Sequence, residues 1–96
     1  MSNFQEIKDK IKSNKPALKA KYNVDKIGVF GSYSRNDQNE NSDIDILVEF
    51  SEPIGLEFVA LADELEKLLG QKVDLVSRKG IKEKYFKIIE KDLQYV

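Results

Sequence analysis

Apolar and polar positions recur along this chain in two different rhythms. Phe4, Ile7 and Ile11 fall at helical spacing and predict an amphipathic helix over residues 2–14, with Ser2 and Gln5 as a capping box. Pro16 suits the first turn of a second short helix reaching Lys21. Tyr22 and Asn23 then lead into an apolar run, predicting a first strand at about 26–30. That run stops at Gly31-Ser32, where a short helical turn over residues 33–36 and a polar loop, NDQNENS, over 36–42 follow. From Asp43 the rhythm becomes two: Ile44, Ile46, Val48 and Phe50 alternate with Asp43, Asp45, Leu47 and Glu49, the pattern of a half-buried strand. A turn around Pro53 precedes the strongest helical stripe, residues 56–69, with Phe58, Leu61, Ala62, Leu65, Leu68 and Leu69 on one face and Gly70 ending it. A strand over 72–77, a basic turn at Arg78-Lys79-Gly80 and a helix over 81–92 complete the order. Ile81, Tyr85, Ile88 and Ile89 are the predicted buried face of that last helix. A single sheet with helices packed against one face fits this order, leaving Asp43 and Asp45 on the open face near Gly31.

Composition narrows the chemistry. Ninety-six residues predict one domain, and 41% hydrophobic with 34% charged residues is the balance of a globular chain. The chain has no Cys and no His, so thiolate zinc sites, Cys nucleophiles and Ser-His-Asp triads are excluded. No apolar run approaches the roughly 20 residues that span a bilayer, and the first residues lack a signal-peptide core, so no membrane role and a cytoplasmic location are expected. Net charge is −1 but segregated: residues 1–26 carry +4, 27–66 carry −9 and 67–96 carry +4. An acidic middle between basic ends suits a cation site beside a polyanionic ligand. It lacks the basic excess of a nucleic-acid binder, and no direct nucleic-acid binding is expected.

The candidate chemistry sits around the middle strand. Asp43 and Asp45 share one face, with Cα atoms roughly 6.5–7 Å apart at strand rise. Carboxylates that close repel, and a hard divalent cation such as Mg²⁺ relieves the repulsion. An acidic strand edge facing solvent is the other reading. Gly31 permits close approach of a phosphate to the backbone. Ser32 offers a hydroxyl and a cap for the turn, whose free N–H groups attract anions; an ordinary strand-to-helix turn has the same sequence. Asp74 lies inside an apolar strand, where it needs a metal, a salt bridge or an edge position. Arg35 suits a bidentate phosphate contact or a surface ion pair. Arg78, Lys79 and Lys82 suit a solvated turn, or contacts to phosphate or a partner.

Gly31-Ser32, ten residues, Asp43-Ile44-Asp45 and a later strand aspartate resemble the nucleotidyltransferase superfamily that includes DNA polymerase beta. The words VFGSYSR and SDIDILVEF are most similar to its minimal nucleotidyltransferase (MNT) group, whose members commonly act as antitoxins beside HEPN-domain toxins. Ser34-Arg35-Asn36 departs from the Ala-Arg-Gly of many relatives. The resemblance implies an α+β fold, a small mixed β-sheet with helices packed on one face, and residues 1–96 as a single MNT domain. It implies catalytic and metal-holding roles for Asp43, Asp45 and Asp74 around two Mg²⁺ ions, and nucleotide contacts from Gly31, Ser32 and Arg35. The implied reaction is transfer of AMP from ATP to a tyrosine hydroxyl of a partner HEPN toxin, as its antitoxin. With no acceptor-binding domain, the acceptor arrives on another protein or a second copy, in a hetero-oligomer or homodimer. A non-catalytic antitoxin that neutralises its partner by occlusion is the alternative, and transfer to a small molecule a third.

Overall fold

The computed structural model describes residues 3–96. In chain order it runs α1 (Phe4–Tyr22), β1 (Val24–Phe30), α2 (Ser32–Arg35), β2 (Ile44–Phe50), α3 (Glu57–Leu69), β3 (Val73–Ser77), a 3-10 turn (Arg78–Gly80), α4 (Glu83–Glu90) and β4 (Gln94–Tyr95). The strands form one sheet in the order β3-β2-β1-β4, with β2 and β3 parallel and the other neighbours antiparallel.

The two predicted N-terminal helices are one. Ser2 lies outside the described residues, and the observed cap is Asn3, whose side chain accepts the Glu6 N–H at 2.9 Å. Pro16 removes a mid-helix hydrogen bond, a cost of about 3 kcal/mol. The helix continues because Ile7, Ile11, Leu18 and Tyr22 form one buried stripe across the proline, each contributing roughly 1.5–3 kcal/mol. Asn23, in the left-handed region at φ 57°, ends it and turns the chain into β1 two residues earlier than predicted.

Helices α1 and α3 cover one face of the sheet. Their stripes meet Ile27 and Val29 of β1 and Ile44, Ile46 and Val48 of β2 in a single core. The opposite face is covered in part by the C-terminal segment. Leu47 is fully buried there, and the Leu93 side chain lies against Gly28, the register partner of Leu47. A Cβ at Gly28 would stand 2.8 Å from Leu93 Cδ1 and 3.0 Å from the Gln94 carbonyl oxygen.

The last helix differs most from expectation. It is shorter, and Phe86 is its buried residue, with the Arg78 guanidinium 3.6 Å from the ring centroid. Tyr85 and Ile88 are exposed, while Ile81 and Ile89 are half-buried. Phe86, Ile89 and Leu93 form an alternative helical stripe, and this one faces inward because the chain must turn at residues 91–93 to add β4 beside β1. The N–H of Val96 donates to the Ile27 carbonyl at 2.8 Å.

Candidate active site

Three neighbouring strands bring the candidate residues to one end of the sheet. Phe30, the last residue of β1, pairs with Asp45 of β2, and Asp45 pairs with Asp74 of β3. Residues directly opposite on adjacent strands share a face, so both carboxylates rise from the face away from α1 and α3. Asp43 lies just before β2 rather than in it, and the chain is anchored there by the Ile44 N–H donating to the Lys72 carbonyl at 2.9 Å. Asp43 and Asp74 are exposed, and Asp45 is half-buried.

Gly31 follows Phe30 directly, with φ 76° and ψ −152°, a conformation that side chains resist. The Asp45 carboxylate occupies the space beside it: a methyl group at Gly31 would overlap Asp45 Oδ2. Gly31 also takes the cap position of α2, so Ser32 is the first helical residue and not the predicted cap; no side-chain capping bond forms. The N–H groups of the first turn have no carbonyl ahead of them in the helix. The turn is held from below by Tyr33, fully buried, whose hydroxyl accepts a hydrogen bond from Gln71 Nε2.

The electrostatics centre on Asp45. Burial, then the nearby charges of Asp74 and Asp43, push its pKa up from 3.8 to about 6, and Arg35 opposes the rise. None of the three aspartates forms an ion pair among the described residues. Nor do three acidic side chains there stand gathered as a ready-made metal cluster. The donor set is oxygen only, negative and adjacent to free N–H groups, and this fits a hard cation that also binds phosphate oxygens.

Arg35 is held rather than free. Its Nε donates to Asp37 Oδ2 at 3.0 Å and its Nη1 to Asp92 Oδ2 at 2.6 Å, while the adjacent buried Ser34 hydroxyl donates to the Asp92 carbonyl. Arg78 pairs with Glu83 at 2.9 Å. Sequence reasoning missed Asp92 and Gln71. Both act across long sequence separations that no local pattern signals.

The family pattern for the nucleotidyltransferase domain matches residues 6–96. The chain belongs to the nucleotidyltransferase family, and within it to the minimal nucleotidyltransferases. It is 55% identical, over the full length of both chains, to a Methanocaldococcus jannaschii protein whose name places it among the protein adenylyltransferases. It is 41% identical to the protein adenylyltransferase MntA of Thermococcus cleftensis, covering 100% of this chain and 98% of that one. A structure described as a minimal nucleotidyltransferase superposes with a TM-score of 0.82 at 29% identity, over 97% of this chain and 95% of the other. A crystal structure of a toxin–antitoxin with AMP-PNP superposes at 0.72 and 26% identity, over 98% of this chain and 72% of the other. No helix among the described residues is long and apolar enough to cross a membrane.

Proposed function

We propose that this chain is a Mg²⁺-dependent protein adenylyltransferase. It transfers AMP from ATP to a tyrosine hydroxyl of a partner HEPN toxin and thereby acts as its antitoxin. The observation that carries the reading is the seating of the Asp45 carboxylate between the Gly31 turn and its register partner Asp74. The names of the relatives support protein as the acceptor, and the toxin–antitoxin neighbour with AMP-PNP supports a toxin as partner and an adenine nucleotide.

In this reading Asp43, Asp45 and Asp74 would hold two Mg²⁺ ions. Mg²⁺, when bound, neutralises the triphosphate and stabilises charge on the attacking and leaving oxygens. The Gly31-Ser32 turn offers its N–H groups to the phosphates that leave. The tyrosine oxygen attacks the α-phosphorus; the new O–P bond forms as the bond to the bridging oxygen breaks, and pyrophosphate departs. Asp74, exposed on the open face, takes the phenolic proton. Orientation and charge neutralisation carry most of the rate. The catalytic unit is the single domain 1–96, without direct nucleic-acid binding. The acceptor is supplied by the partner in a hetero-oligomer, in the cytoplasm where ATP and such a toxin meet.

The test is incubation with α-labelled ATP, Mg²⁺ and the product of the neighbouring gene. Label is expected on the partner, and none with Asp43→Ala or Asp45→Ala. Neutralisation of the toxin that survives both substitutions without label would overturn transfer in favour of occlusion.

A further inference from the structure

We propose that Asp92 is a positioning residue of this site: it clamps Arg35 so that the guanidinium keeps one nitrogen free for a phosphate of the donor nucleotide. The proposal rests on the nucleotidyltransferase reading above and adds to it a residue far from the Gly-Ser and Asp-x-Asp elements.

Arg35 ends α2, the helix that begins at the Gly31-Ser32 turn. An arginine side chain left free carries rotamer entropy that ordering on a ligand must overcome. Here two of its three nitrogens are already engaged, Nε by Asp37 and Nη1 by Asp92. Nη2 has no acceptor among the described residues, and the Arg35 N–H donates to the carbonyl of Gly31 at 3.1 Å, the glycine that the Asp45 carboxylate lies against. Charge-assisted bonds from a fixed fork to a phosphate are strong and directional.

The two anchors are unequal. Asp37 is two residues from Arg35 and its side chain is 57% exposed, so the pair is screened by water. The Asp92 side chain is 26% exposed, and its bond is shorter. Asp92 is also fixed from several directions. Its carbonyl accepts the buried Ser34 hydroxyl, its N–H and that of Leu93 both donate to the Ile89 carbonyl at 3.0 Å, and Leu93 packs on Gly28. The segment between α4 and β4 therefore grips two consecutive residues of α2. A purely structural ion pair would not need a nitrogen left free beside the Gly31 turn.

The experiment titrates Mg²⁺ with AMP-PNP into the full chain without acceptor, for wild type, Asp92→Asn, Arg35→Ala and the double variant, with melting temperature measured for each. Asp92→Asn is expected to weaken nucleotide binding roughly tenfold. Arg35→Ala should weaken it at least as much, and the double variant no further than Arg35→Ala alone. Wild-type affinity in Asp92→Asn, with or without a lower melting temperature, overturns the clamp and leaves the nucleotidyltransferase reading standing. Additive losses in the double variant overturn it as well. A wild-type chain that binds no nucleotide overturns both.

Discussion

The Asp45 carboxylate lies in the space that a side chain at Gly31 would fill. Gly31→Ala therefore meets two obstacles, a backbone in the left-handed half of φ and a collision with the Asp45 carboxylate. The variant is expected to lose about 3 kcal/mol or more of stability and to show no AMP transfer. Urea unfolding and the labelling reaction check the two effects separately.

Asp45 is a residue whose charge burdens the folded state. Asp45→Asn keeps its shape and removes the repulsion with Asp43 and Asp74. The ligand-free variant is expected to melt at a higher temperature than wild type at pH 7.5, while AMP transfer falls by at least about a hundredfold. A variant that melts lower would mean that Asp45 already has a compensating partner.

The same carboxyl makes ligand-free stability depend on pH. Its folded pKa is raised from 3.8 to about 6, so between those values the folded state holds a proton that the unfolded state has released. The Asp45 contribution thus weakens as pH rises from about 4 to 6 and is at its most unfavourable above 6. A cation at the site offsets this only where the carboxyl is ionised. Added Mg²⁺ is expected to raise the melting temperature more at pH 7.5 than at pH 5, as scanning calorimetry at both values would show.

Gly28 marks where the C-terminal segment joins the edge of the sheet beside β1. Gly28→Ala would place a methyl group 2.8 Å from Leu93 Cδ1 and 3.0 Å from the Gln94 carbonyl oxygen. The expected cost is about 1–3 kcal/mol, with faster amide exchange at Gln94 to Val96. Normal exchange there would mean that Leu93 can shift without releasing β4.

The middle of the fold was readable because its patterns are local and strong. Alternation around Ile44, Ile46 and Val48 set the strand, and the same alternation put Asp45 on the face it occupies. The stripe of Leu61, Leu65 and Leu69 located α3 for the same reason. Pro16 misled because a proline signals a break only when nothing larger opposes it, and the buried stripe on both sides of it does. In α4 two stripes were open to a helix, and the choice depended on β4, a two-residue strand too short to have a period. Gly31 and Asp45 stood out because a glycine ending a strand and an acid part-buried inside one are unusual, whereas Asp43 and Asp74 are exposed, where an acid costs little. Asp92 did not stand out: an ordinary surface aspartate in sequence, it acquires meaning from Ser34 and Arg35 only once the chain has folded back on itself.

The parallel pairing of β2 with β3 sets an order on assembly. Gly31 and Asp45 come together when two strands adjacent in sequence zip into a hairpin-like pair, a fast local event. Asp74 lies farther along the chain, beyond α3, so its pairing with Asp45 must close a longer loop. A chain folded only that far holds Asp45 against Gly31 without Asp74, and the grouping of these residues across three strands belongs to the finished topology alone.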